Sequence, residues 1–214
     1  LNQTKNHIKR NKHKYKYKYK YKYKYKYKYK YKYKYKYKYK YKYKYKYKHI
    51  QIQAHTNTST YKIKSMKAIA VFQGKLKGSH VTFRQDNPFS SVKISGHIAN
   101  LAPGKHGFHV HQFGNLLSSD CTSCGGHFNP TNADHGSRTS VSSHAGDFGN
   151  ISSSTFHFST SKVSLFEGEL SIIGRSLVIH EDEDDLGKGG HSDSLTTGHS
   201  GKRLDCAVIG YDKE

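Results

Sequence analysis

The sequence predicts an all-β domain, an antiparallel sandwich or barrel, over residues 66–214, preceded by a basic low-complexity tail over residues 1–65. Three observations predict it. Short runs of alternating or β-branched residues recur at intervals of about 8–12 residues with turn residues between them. No helical period of useful length is present. Charge also divides at the single methionine, Met66: residues 1–65 hold 24 of the 37 Lys+Arg and none of the 15 Asp+Glu, so residues 66–214 hold 13 basic against 15 acidic side chains. The net charge of +22 therefore belongs to the tail, and with it any affinity for nucleic acid or another polyanion that a basic total implies.

The tail opens with Leu1 and runs into seventeen Tyr-Lys repeats over residues 15–48. A period of two suits a strand, but the lysine row repels itself and no acidic residue relieves it, so the tail is expected to be disordered. Three roles compete for it. Its tyrosines can stack on bases of single-stranded nucleic acid within a polycation, or it can anchor the protein to a polyanionic surface. Alternatively it is a translated non-coding repeat ahead of a start at Met66, because Tyr and Lys codons are AT-rich and a repeat such as TATAAA translates to this pattern. The 149 residues from Met66 are enough for one domain with its own core. No apolar stretch is long enough to span a bilayer and no signal peptide precedes Met66, so a cytoplasmic location is expected. In that compartment Cys121, Cys124 and Cys206 remain thiols unless there is a special reason.

From Met66 the strand-like runs are residues 66–72, then 81–83 after Gly74 and Gly78, then 91–98 after a Pro88 turn. Residues 101–105 lead into His106-Gly107-Phe108-His109-Val110-His111. On a strand, His109 and His111 point to one face and can offer ring nitrogens to one point. A lone His-x-His is also compatible with chance or a structural role. What favours a metal is the company downstream: His127, His135, His144 and Asp147, then His180. Residues 113–150 are rich in Gly, Ser, Asn and His with little periodicity, a long loop that carries four of these candidates.

Residues 107–111, Gly125-Gly126-His127-Phe128-Asn129-Pro130, His135-Gly136, His144-Ala145-Gly146-Asp147, residues 174–181, residues 184–190 and Arg203-Leu204-Asp205-Cys206, in this order, resemble the copper/zinc superoxide dismutases over essentially all of residues 66–214. The resemblance implies an eight-stranded Greek-key β-barrel with long metal-binding and electrostatic loops, a sandwich architecture compatible with the strand pattern. It implies copper ligands His109, His111, His127 and His180 and zinc ligands His127, His135, His144 and Asp147, with His127 shared as an imidazolate. Imidazole suits both metals, and a mixed histidine–carboxylate set suits tetrahedral zinc. The implied reaction converts superoxide to oxygen and hydrogen peroxide by copper redox cycling.

Arg203 resembles the family's anion guide, the alternative being a surface ion pair. Asp184 resembles the carboxylate that joins a copper histidine to a zinc histidine, here His109 and His135; otherwise it is one more charge in the acidic run 181–185. Cys121 and Cys206 match the family's intrasubunit disulfide, which would supply the special reason, while Cys124 departs from the pattern. Residues 150–172 are shorter than usual and lack an Asp-Gly-type turn, which leaves strand ends there open. The loop 190–201 offers Leu195, Thr196 and Thr197 where the family often carries a steering lysine, and Lys188 and Lys202 remain to draw in an anion. His106 reads as structural, and His80, His97, His157, His191 and His199 as surface or turn residues. Gly114, Ile173 and Gly174 resemble dimer-contact positions, so a homodimer is expected, with superoxide as substrate and a copper chaperone as a candidate partner. Two other functions compete. A dismutase-like copper-transfer domain usually carries a Cys-based motif ahead of the domain and loses copper ligands within it, and neither holds here. A polycationic protein that binds nucleic acid or another polyanion would make the tail the function and the barrel its carrier.

Overall fold

The computed structural model describes residues 64–213. The Tyr-Lys repeat, with its expected disorder, lies outside the described residues. The chain forms strands β1 (Met66–Val71), β2 (His80–Gln85), β3 (Val92–His97), β4 (His106–His111), β5 (Asp147–Ile151), β6 (Thr155–Thr160), β7 (Ser176–His180) and β8 (Arg203–Tyr211), with apolar–polar alternation clearest in β2 and β3. They join in the order β5-β4-β7-β8-β1-β2-β3-β6, all antiparallel, in a nearly closed barrel. β1, β2 and β3 form consecutive hairpins. The chain then crosses to β4, which lies between β5 and β7, and crosses again from β6 to β7, giving the Greek-key connection. Among the described residues no helix is long and apolar enough to cross a membrane.

Inward positions fill the barrel: Ala68 and Ala70 of β1, Val81 and Phe83 of β2, Val92 and Ile94 of β3, Leu177 and Ile179 of β7, Ala207 and Ile209 of β8. Phe108 and Phe148 meet Phe156 and Phe158 near the two ends of the strand order, with ring centroids 5.1–6.4 Å apart. β4 is buried along its whole length. Phe108 and Val110 face this core, while His109 and His111 face the opposite way into the lobe built by the long loops.

One expectation from the sequence changes, and the strand ends left open in 150–172 are defined. Residues 147–150, read as the end of a long loop, open β5, where Asp147 pairs with His109 across a bulged register. Asp147, Gly149 and Asn150 carry little strand propensity, so the pairing is set by β4 and not locally. In the segment 150–172, β6 pairs with β3 from Val92↔Thr160 to His97↔Thr155, and Ser164 bridges Ser171.

Cys121 and Cys206 form a disulfide of 2.08 Å that ties the loop turn Thr122–Cys124 to β8. The chain-entropy model gives about 4–5 kcal/mol for closing a loop of that length. Cys124 is a buried free thiol in the same small apolar cluster, and its sulfur donates to the Asn115 carbonyl at 3.4 Å.

Three backbones converge where the loop meets the barrel. Val110 N donates to Gly146 O (2.9 Å), Gly146 N to Phe128 O (2.9 Å) and Phe128 N to Val110 O (2.8 Å). This clasp places His111, His127 and Asp147, each one residue from it, beside one another. It requires a glycine, because a Cβ at Gly146 would lie 2.2 Å from the Val110 carbonyl oxygen. Gly146→Ala is expected to destabilise the domain by about 1–3 kcal/mol, the usual range for overpacking. Chemical denaturation of both proteins without metal measures it, and an unchanged midpoint would show that the backbones part without cost.

Candidate metal centre

The loops and strands bring two sets of ligand-type side chains together, each with its candidate atoms within 4.8 Å of one another. One is His109, His111, His127 and His180; the other is His127, His135, His144 and Asp147. β4 contributes His109 and His111, two residues apart on one face. The end of β7, paired with β4, brings His180 beside them. His127 forms an isolated bridge with His111, and Asp147 begins β5 opposite His109. All seven side chains are buried.

Hydrogen-bond partners decide which ring nitrogens carry protons. His111 Nδ1 donates to Gly125 O at 2.9 Å, and His109 Nε2 donates to Asp184 Oδ2 at 2.9 Å. The inward nitrogens, His111 Nε2 and His109 Nδ1, are thereby lone-pair donors. His111 Nε2 lies 3.3 Å from His180 Nε2. His109 Nδ1 and His127 Nε2 are buried without a hydrogen-bond partner. Facing lone pairs in a dry site repel, and a cation between them removes the repulsion.

The second set shows the same pattern. Asp147 Oδ1 lies 2.9 Å from His127 Nδ1, 3.0 Å from His135 Nδ1 and 3.1 Å from His144 Nδ1, and the His127 and His144 nitrogens are 3.4 Å apart. His135 donates its Nε2 proton to Asp184 Oδ1 at 2.7 Å, which leaves Asp147 to be faced by its Nδ1. Despite the 3.0 Å separation from Asp147, that nitrogen is outside hydrogen-bonding geometry. A tetrahedron with edges of this size has its centre about 1.9 Å from each corner, close to the ~2.0–2.2 Å of zinc–nitrogen and zinc–oxygen bonds. The four-imidazole set suits copper and the mixed set suits zinc.

The surroundings hold these orientations. Asp184, buried, stands between His109 and His135 and accepts from both. Asn150 pins it, donating to Asp184 O and accepting from Asp184 N at 2.8 Å each. Gly198 leaves room: a Cβ there would lie 2.1 Å from Asp184 Oδ1 and 2.4 Å from His135 Nε2. Asp147 Oδ2 accepts from the backbone of Gly136 (3.0 Å) and His144 (2.9 Å). Arg203 pairs with His180 across β7 and β8, and its guanidinium donates to the carbonyls of Cys121 and Gly125. His106 donates to His180 O at 3.0 Å, tying the strand end that carries a candidate ligand. The roles of Asn150 and Gly198 have no local signal in the sequence.

Among the described residues, the other histidines stand apart from both sets. His80 faces His97 across β2 and β3, His157 Nδ1 meets Ser95 Oγ at 2.9 Å, and His191 stacks on His199 at 3.7 Å.

Burial, followed by the charge of neighbouring histidines, holds His109 and His111 well below the ordinary histidine value, and burial pushes His180 down to about 3. Burial also lowers His135, but contacts with Asp147 and Asp184 outweigh it and raise this residue to about 9. Asp147 is raised by burial and lowered further by His127, His135 and His144, ending well below the carboxylate range. The signs fix how metal-free stability varies with pH. The depressed histidines take up protons in the unfolded chain first, so stability is lost as pH falls below about 6.5, for His180 down to about 3, by up to about 1.4 kcal/mol per pH unit for each. The His135 contribution is present below about 6.5 and lost as pH rises through about 9. Metal-free protein is therefore expected to be most stable near neutrality. Denaturant titrations across pH 4–9 test this, and a flat profile between pH 4 and 7 would contradict it.

The family model described as copper/zinc superoxide dismutase matches residues 77–209. A protein of Orgyia pseudotsugata multicapsid polyhedrosis virus, provisionally named a copper/zinc superoxide dismutase, is 48% identical over 151 residues, which cover 68% of this chain and 97% of the relative. Its counterpart from Autographa californica nuclear polyhedrosis virus, named in the same provisional way, is 46% identical over 154 residues, covering 69% of this chain and 100% of the relative. Among solved structures, the crystal structure of the clock protein EA4 is similar at a TM-score of 0.64 and 41% identity, covering 69% of this chain and 95% of that one. With the family-model match running from before β2 into β8 and holding both ligand sets, the chain belongs to the copper/zinc superoxide dismutase family.

Proposed function

We propose that the protein is a superoxide dismutase, with copper held by His109, His111, His127 and His180 and zinc by His127, His135, His144 and Asp147. The observation that carries this reading is the sharing of His127, whose Nε2 belongs to the four-histidine set and whose Nδ1 faces Asp147 at 2.9 Å. Bound copper would supply alternating one-electron oxidation and reduction, so that two superoxide anions and two protons become oxygen and hydrogen peroxide.

The chain's own groups prepare that reaction. Asp184 fixes the tautomers of His109 and His135 together, coupling the two sets through one carboxylate. Arg203 offers an anion a fixed positive charge beside His180 and His111, with its fork steadied by two loop carbonyls. Gly125 O accepts from both Arg203 and His111, which ties the anion guide to the four-histidine set. His127 Nε2, buried and without a hydrogen-bond partner, would hold a proton only when it is not serving as a ligand, and could then pass it to the reduced substrate.

Metal analysis with a superoxide-decay assay tests the reading. His180→Ala should lose copper and keep most zinc, since His180 belongs only to the first set. Arg203→Glu should keep both metals and lower activity at low ionic strength by about tenfold or more, the scale of electrostatic capture. Equal loss of both metals in the first variant, or unchanged activity in the second, would overturn the respective role. The likeness to the clock protein EA4 supports a second reading, a family member whose role is not turnover. Metal-replete wild type that leaves superoxide decay unaltered would favour it.

We also propose that residues 66–214 suffice for folding and activity and pair as a homodimer. The exposed side chains of Val71, Phe113, Val208 and Tyr211 lie on or beside β1 and β8, and the Gly114 α-carbon packs against the Gly174 carbonyl close to Val208. A chain beginning at Met66 should bind both metals, turn over superoxide like the longer chain and sediment as a dimer. The longer chain, where expressed, should add only polyanion binding that weakens steeply with salt. A truncated chain that fails to fold would refute sufficiency, and a monomer at micromolar concentration would refute the dimer.

A further inference from the structure

The loop that carries His135, His144 and Asp147 makes an excursion over residues 137–143. Inside it, Ser140 N donates to Ser137 O at 3.0 Å, the two serine hydroxyls meet at 2.8 Å, and Val141 is 89% exposed. Arg138 rests its guanidinium 4.0 Å above the Phe158 ring, a contact with little directionality. Directional bonds to the excursion from the barrel side come from Lys162.

Lys162 lies just beyond β6. Its backbone N–H donates to Thr160 Oγ1 at 3.2 Å, and the next residue, Val163, is buried in the core, so the root of the side chain is fixed. The ammonium donates to Ser143 Oγ and to Ser137 O, the latter at 3.4 Å. Ser143 is buried and immediately precedes His144; Ser137 follows His135 by two residues. One ammonium thus grips both ends of the excursion and fixes the spacing of two ligand-type histidines.

Its charge works in the opposite sense. Lys162 lies in the field of Asp147, and a cation there repels a dication in the same site. Positioning and repulsion therefore predict opposite signs when the lysine is removed.

We propose that Lys162 is a positioning residue for the zinc site, clamping Ser137 and Ser143 so that His135 and His144 meet Asp147 in register for the metal. This rests on the assignment of zinc to that set.

Zinc affinity of copper-free protein, measured by competition with a chromogenic chelator, tests it, with copper affinity and the metal-free unfolding midpoint measured alongside. Lys162→Met should weaken zinc about tenfold, within the range typical for groups that orient ligands, while copper affinity changes little. Lys162→Arg, which keeps both charge and donors, should restore most of the loss. Ser143→Ala should weaken zinc in the same direction and add little to Lys162→Met, because the two remove one contact. Equal or tighter zinc binding by Lys162→Met would overturn the clamp and leave the zinc assignment standing. A fall in the metal-free midpoint without loss of zinc affinity would make the lysine merely structural. Wild type that binds no zinc would overturn the assignment and the clamp together.

Discussion

The lobe depends on Asp147, a buried carboxylate that faces two ways. Its Oδ2 accepts two backbone N–H groups, from Gly136 and His144, and so closes the loop on itself. Its Oδ1 looks at three imidazole nitrogens at 2.9–3.1 Å. A carboxylate without water needs positive charge or protons nearby. Here the backbone donors satisfy one oxygen, and the other defines the point where a cation would sit. Because Asp147 is also the first residue of β5, opposite His109 on β4, the same side chain links that point to the barrel.

Asp184 plays the complementary part from outside. It stands behind His109 and His135, one from each ligand set, and Asn150 on β5 holds its backbone. The two sets are joined twice, through His127 between them and through Asp184 behind them. Orientation is therefore shared, and a shift of one ring is felt at the other set. The disulfide serves a similar purpose near Arg203, holding the loop carbonyls of Cys121 and Gly125 against that residue, which shares β8 with Cys206.

Such a site is costly without metal. Burial holds His109, His111 and His180 neutral, while His135 and Asp147 draw charge toward each other. The barrel offsets that cost by packing its aromatic and aliphatic core on the opposite face of β4. A strand buried on both faces, apolar on one and imidazole on the other, is what allows a rigid sheet to present metal-seeking groups.

Much of this was legible in the residues. Alternation gave the early strands, and the spacing of His109 and His111 put both rings on one face, because side-chain direction on a strand is local geometry. The copper and zinc sets were named from resemblance, and the structure brings those side chains together. The start of β5 at Asp147 was missed, since Asp, Gly and Asn carry no strand signal and only pairing with His109 organises them. Asn150, Gly198 and Lys162 were equally invisible, for their roles exist only where distant segments touch. By itself the sequence determined the β class and the division of charge at Met66, which follow from residue type and near neighbours, while the ligand sets came from resemblance. Tertiary structure alone decided which nitrogens keep their lone pairs, which carbonyls hold Arg203 and what braces the loop, because each depends on contacts between residues far apart in the chain.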